Sequence, residues 1–321
     1  MKKKVLIALG MFLFLGQTST ALAFQLETIS DTPVMKDFVL GPGKEVLLLE
    51  PGEKEIREIT VTNRLGEDMD FKVEIEDFAG SYETDETVKF FGSDKGPYSM
   101  KNYISPDVYE FALKHGERIT IPVAIDIPED SQPGGLYASV LVSTNPEDVK
   151  NSGNSQQTRI ISRLAALYFV RVAGEVKESG FLQDFNVTEP KYGFFEKGTI
   201  PFEIYFKNEG SVHLFPHGQI EIKNMMGRVI GTVPVDEFFV MPDSLRLIKT
   251  SWNGPFLIGR YTAVLTLDPG FQQTEAIPEV KEIAFWVLPW KELLGAALVL
   301  LAVYGLFKFI KSRFKFEIKK K

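Results

Sequence analysis

The chain has 321 residues, 43 acidic and 36 basic side chains, a formal net charge of −7 and no cysteine. That composition excludes a disulfide framework, thiol chemistry and cysteine-based metal sites, while 44% hydrophobic residues and 26 phenylalanines exclude a disordered stalk. Setting aside the 3 lysines of residues 1–23 and the 8 basic and 2 acidic residues of 291–321 leaves 25 basic and 41 acidic residues, net −16. Such a surface disfavours nucleic acid and anionic lipid as partners, because that binding needs a basic footprint.

In chain order, Lys2, Lys3 and Lys4 precede an apolar run over 5–15 and the small-residue pattern Ala21, Leu22, Ala23. This is the three-part order of a secretory signal peptide, and it predicts cleavage after Ala23. Period-two alternation follows in Ile59 and Val61, then Phe71, Val73 and Ile75, then Ile119, Ile121, Val123, Ile125 and Ile127. It returns in Phe202, Ile204 and Phe206, and in Tyr261, Ala263 and Leu265. Half-buried strands broken by Pro, Gly and Asn turns, without a long amphipathic helical pattern, predict an all-β fold of two tandem immunoglobulin-like β-sandwiches over 24–174 and 175–288.

Two landmarks occur twice. A strand ends in Asn near Gly in ITVTNRLG (Asn63) and IYFKNEG (Asn208), where both residue types tolerate the left-handed geometry of a turn. A Gly-x-Tyr opens a strand in GLYASV (Tyr137) and GRYTAV (Tyr261), and both tyrosines are expected to act as tyrosine corners, the hydroxyl bonding back to the backbone. Gly135 lies 72 residues after Asn63 but Gly259 only 51 after Asn208, so the first domain carries about 21 extra residues. They fall within about 78–117, a stretch rich in aromatic side chains, and Tyr82, Phe90, Phe91, Tyr98, Tyr103 and Tyr109 are the candidate ligand-binding residues. Exposed rings on a long loop suit the faces of sugars, although Phe90, Phe91 and Phe111 would equally serve to cap the sandwich edge. The Gly/Ser/Asn-rich stretch 145–159 reads as a hairpin tip.

At the C-terminal end, residues 293–307 carry no charge, and a transmembrane helix is expected over 289–310. Trp286 and Trp290 serve as outer interfacial anchors, and Lys308, Lys311 and Arg313 lead a basic tail over 311–321 that the positive-inside rule places in the cytoplasm. The stretch Leu288, Pro289, Trp290, Lys291, Glu292 begins like the sortase signal LPxTG but has Lys and Glu where that signal needs Thr and Gly, so the helix is expected to be retained.

The segments PGEKEIREITVTNRLGEDMDFKVEIEDF, IPVAIDIPEDSQPGGLYASVLVS and FEIYFKNEGSVHLFPHGQIEI, with the following GRVIG, resemble the WxL-interacting surface proteins of Gram-positive bacteria. The resemblance covers residues 33–288 and implies peptidoglycan binding by the first domain and binding of a partner protein or matrix by the second. The three histidines offer little chemistry. His213 and His217 stand at helical ligand spacing, but Pro216 and Gly218 interrupt them, which points to a structural or solvent-facing role. Glu83, Asp85 and Glu86 could form a glycosidase pair, yet a solvated loop fits a chain this acidic better. The sequon Asn186, Val187, Thr188 is expected to be idle. No catalytic residue, metal or cofactor is called for. The expected function is a non-enzymatic, membrane-anchored module at the plasma membrane that binds a cell-wall polymer (peptidoglycan) or a surface protein. The alternative is a scaffold that pairs with other subunits through sandwich edge strands.

Overall fold

The computed structural model describes residues 24–82, 86–144, 161–188, 195, 199–254 and 258–313. The expected signal peptide, Glu83 and Asp85, the stretch 145–159 and most of the basic tail lie outside them.

The alternating segments are strands, and the described residues are all-β up to one C-terminal helix. In the first unit, β1 (Gln25–Thr28), β9 (Glu117–Asp126), β4 (Lys54–Arg64) and β2 (Asp37–Gly41) lie side by side in that order, with β7 (Ile104–Pro106) also on β9. Facing them are β3 (Lys44–Leu49), β11 (Arg163–Val172), β10 (Gly134–Thr144), β5 (Met69–Gly80) and β6 (Val88–Phe90), with β8 (Glu110–Leu113) on β5. The inward positions of both sheets, among them Ile59, Val61, Phe71, Val73, Ile121, Ile125, Val140 and Tyr168, form one closed core. β2 and β3 form one edge segment that crosses from the first sheet to the second at Pro42.

The second unit packs β12 (Gly180–Val187), β13 (Thr199–Asn208) and β16 (Ser244–Asn253) against β15 (Val229–Val235), β14 (His217–Lys223), β17 (Gly259–Asp268) and β18 (Glu279–Val287). Its core holds Phe202, Ile204, Phe206, Ile220, Trp252, Leu265 and Phe285. Strand pairing of the first unit ends at Val172 and that of the second begins at Gly180, with Gly174 between them at φ +132° against Pro133.

The duplicated asparagines work differently from the sequence expectation. Neither has a positive φ, and both are fully buried at the ends of β4 and β13. Asn63 Nδ2 donates to the carbonyls of Glu67 (2.9 Å) and Leu113 (2.8 Å), and its Oδ1 accepts from the Leu65 amide (2.9 Å). Asn208 repeats this with Val212 (2.8 Å), Val240 (3.0 Å) and the Gly210 amide (2.8 Å). The amide side chain satisfies peptide groups that would otherwise be buried without partners. Of the two turns, the first has its left-handed residue at Gly66, φ +94°.

The helix α1 (Trp290–Arg313) follows β18 after two residues. Its stretch Trp290–Lys311 is long and apolar enough to cross a membrane and is covered by none of the other described residues. Trp286, placed by the sequence with the membrane anchors, belongs to β18 and not to the helix, where it is 54% exposed.

Candidate functional site

Three places on the two sandwiches could carry function: the joint between them, a cleft beside it, and a strand edge that no described strand covers.

The joint is a small third core. Phe78, Tyr137 and Phe169 of the first unit and Met241 of the second are buried together, with Phe239 stacked edge-on to Phe169 at 5.0 Å between ring centres. Gly80 ends β5 against β16 so closely that a Cβ there would lie 2.3 Å from Ser244, which demands glycine. Tyr137 is therefore not the tyrosine corner expected of it. Its hydroxyl accepts from the backbone amide of His213 in the second unit at 2.9 Å and lies 3.2 Å from His213 Nδ1. Burial pushes the Tyr137 phenol far up, so it stays protonated. His213 sits among the rings of Tyr137, Phe169 and Phe215 and is pulled down to about 4, first by burial and then by the charges of Arg171 and Lys44. Tyr261, by contrast, keeps its hydroxyl local, 3.4 Å from the Ile258 carbonyl.

A buried ion pair closes the other side of the joint: Arg171 Nη1 to Glu178 Oε1 at 2.7 Å, with side-chain exposures of 6% and 0%. Burial alone would push the Glu178 carboxyl up. The amides of Gln273, Gln272 and Thr274 and the Arg171 guanidinium outweigh it, so the group titrates below its ordinary value. Tyr98, one of the candidate ligand residues, donates to Asp243 across the joint at 2.6 Å. Burial and that carboxylate hold its phenol well above the usual range. With the Gly135 amide on the Ser211 carbonyl at 3.0 Å, these contacts fasten the two sandwiches directly to each other.

The insertion is organised by a residue that the sequence reading passed over. Asp77 on β5 is fully buried and accepts from the amides of Gly96 (3.0 Å), Met100 (3.1 Å) and Lys101 (2.9 Å). Those bonds place Tyr98 over the joint. A buried carboxylate in a strand can be held only by such donors, and an Asp in the inward register of Phe71, Val73 and Ile75 was the available signal.

The six candidate aromatics do not form one platform. Tyr109 joins β5 at Val73, whereas Tyr82 follows the far end of that strand at Gly80. Seven strand residues, about 23 Å, separate those two levels. Phe90 pairs with Phe78 at 6.3 Å between ring centres, and Phe91 is half-buried with its amide on the Asp77 carbonyl. Tyr109 (50% exposed) stands apart, while Tyr82 (63% exposed) lies on the joint side, within electrostatic range of Tyr98 and of Lys207 of the second unit. Tyr98 and Tyr103 line one cleft of about 470 Å³ at the joint, whose other walls include Asp130, Gln132 and Ser211.

The third place is the edge of β11. β3 pairs with it only from Leu167 onward, where the Leu167 amide donates to Gly43 at 3.0 Å. Peptide groups two residues apart along a strand point the same way, so the amides and carbonyls of Arg163 and Ala165 face the side β3 has left. There, among the described residues, they meet no strand. Beside this edge Leu164 (39%) and Ile161 (61%) expose apolar side chains. Arg163 on the same strand is ion-paired to Glu74 and Glu76 of β5.

Among the described residues no cluster of three or more potential metal ligands occurs. His217 lies on β14 with its Nδ1 3.3 Å from the Phe215 carbonyl, and Asn186 donates to Asp184 at 2.6 Å.

No family model and no curated protein matches the chain. Solved structures that it resembles include the class 5 fimbrial chaperone CfaA, at 14% identity over 76% of this chain and 99% of that one, with a TM-score of 0.38. The YadV chaperone is 12% identical over 77% of this chain and 100% of the other, TM-score 0.35. The Escherichia coli chaperone DraB is 12% identical over 78% and 96%, TM-score 0.33.

Proposed function

We propose that the protein is a membrane-tethered scaffold, without enzymatic activity, that holds a surface protein by taking an extended segment of it onto the open edge of β11. The observation that carries this reading is the run 163–166, whose outward peptide groups meet no strand among the described residues while Leu164 and Ile161 lie exposed beside them. An unpaired edge is a template for a further strand, with backbone hydrogen bonds supplying affinity and flanking apolar side chains selectivity. The helix anchors the protein in the plasma membrane with the sandwiches outside and the Lys-rich end in the cytoplasm, as the positive-inside rule requires.

The test uses the direction of one amide. Ala165→Pro removes an N–H that points away from β10, so the fold keeps its pairing while the edge loses a donor and gains a bulky ring. A photo-crosslinker at Ile161 on intact cells should trap one dominant protein, and Ala165→Pro should abolish that product without lowering the melting temperature. Absence of a protein product, or its indifference to Ala165→Pro, overturns the reading.

A second reading rests on the cleft, where two tyrosine rings and the polar ends of Asp130, Gln132 and Ser211 offer the mixed stacking and hydrogen-bonding surface that a glycan would use. It agrees with the peptidoglycan binding implied by the family resemblance. Detergent-solubilised full chain should then pellet with isolated cell walls and Tyr103→Ala should not. Failure of the parent protein to pellet removes this reading.

A further inference from the structure

The membrane end of the second sandwich carries a feature that partner binding does not use. The hairpin joining β14 to β15 exposes Met225 (75%) and Met226 (93%), with Arg228 exposed beside them. The turn is built, not loose: Asn224 Oδ1 accepts from the amides of Met226 and Arg228, both at 3.0 Å, and Gly227 takes φ +75°. Both methionines are thereby held on a fixed tip. The Met225 sulfur lies on the side of Gly259, at the start of β17, where a Cβ would point.

Register shows which way this tip points. Lys223 pairs with Thr262, Thr262 with Ala284, and Gly259 with Val287, so the tip, the start of β17 and the end of β18 share one end of the sheet. From Val287 only Leu288 and Pro289 separate the sheet from α1. Two residues reach at most about 7 Å, and β14 is two strands, about 10 Å, from β18. The same end exposes Trp286 and Ile258. Between the tip and β17 lies a cleft of about 330 Å³ lined by Lys223, Arg260 and Thr262, with Glu282 on its wall.

We propose that the Met225–Met226 tip is a membrane foot, inserting its two thioether side chains into the interface of an anionic phospholipid bilayer while Arg228 and Arg260 meet the headgroup phosphates. Exposed apolar side chains flanked by cations suit that interface, as flexible methionines do. The two-residue tether to α1 keeps this end beside the bilayer that the helix would cross, and its cations complement anionic headgroups there, which selects a lipid surface. A foot here would hold the sandwiches at a fixed tilt above the bilayer.

The proposal rests on the reading of α1 as a membrane span, and the test separates the two. The chain has no cysteine, so Met226→Cys, Val299→Cys and Ser93→Cys each give a single nitroxide site. The full chain is placed in nanodiscs containing phosphatidylglycerol, and collision of each label with oxygen is compared with collision with a neutral nickel chelate. A membrane foot makes the Met226 label favour oxygen as the Val299 label does, while the Ser93 label favours nickel. Arg228→Gln with Arg260→Gln, or phosphatidylcholine-only discs, then returns the Met226 label to nickel. If Val299 favours oxygen and Met226 favours nickel, the foot is overturned and the span stands. If Val299 also favours nickel, both fall. Dipolar broadening at a nickel-accessible Met226 assigns the tip to a second copy and also overturns the proposal.

Discussion

Asn63 at the end of β4 and Asn208 at the end of β13 hold their turns with the same three bonds, two donated and one accepted. Tyr137 and Tyr261, which open matching strands, have parted: one is fully buried and reaches the other sandwich, and the other stays within its own. A turn needs the same satisfied peptide groups wherever the sandwich is used, so that solution is shared by both copies. A joint needs a particular face of only one copy, and in the first copy the outer face of β10 and β11 carries Tyr137, Leu167 and Phe169.

The shared part is broken most severely at the asparagines. Asn63→Ala and Asn208→Ala each leave up to three peptide groups without their partner, so each should cost about 3–4 kcal/mol. Circular dichroism during urea unfolding of the detergent-solubilised chain registers both losses. Tryptophan fluorescence follows the second sandwich selectively, because Trp252, Trp286 and Trp290 all lie in it or just beyond it. Losses differing by more than about 2 kcal/mol would mean that the duplicated geometry is not a duplicated contribution.

The joint is sharpened by pH. His213 in the folded chain titrates near 4 against 6.5 when free, so between those values the unfolded chain takes up a proton that the folded chain refuses. Stability from this group is whole above pH 6.5 and falls as pH drops toward 4, by about 3 kcal/mol in all. Glu178, depressed below 4.5, extends the loss to more acid pH, since its contribution disappears as pH falls through its folded value. His213→Gln should flatten the unfolding free energy between pH 6.5 and 4 and leave the more acid limb. A parent curve that is flat over that upper interval would refute the burial of a neutral imidazole at the joint.

How much of this was legible follows from range. The alternation in Ile119, Ile121, Val123 and Ile125 is local, and it sufficed for strands with one face inside. The joint was written in a weaker sign. β11 reads LYFVRV, a run without alternation, which is how a strand covered on both faces reads. Nothing local says that the second cover is another domain, because Tyr137 and His213 are 76 residues apart. The open edge of β11 was equally hidden: it exists because β3 joins late, at Leu167, and register is a property of two segments. The aromatic insertion was visible as composition, but Asp77 divides it, sending Tyr98 to the joint while Tyr109 stays apart at the level of Val73.

The two tyrosines give the finest test. Tyr137→Phe keeps the ring and deletes the acceptor of the buried His213 amide, which should cost about 2 kcal/mol. Tyr261→Phe loses only a 3.4 Å approach to Ile258, longer than an effective hydroxyl bond, and should cost about 0.5 kcal/mol or less. Paired urea titrations of the two variants measure the difference directly. Equal losses would return Tyr137 to the local role of its counterpart and leave the joint to its rings and its ion pair. A loss confined to Tyr137→Phe, accompanied by earlier unfolding of one sandwich than the other, would make this single hydroxyl part of what couples them.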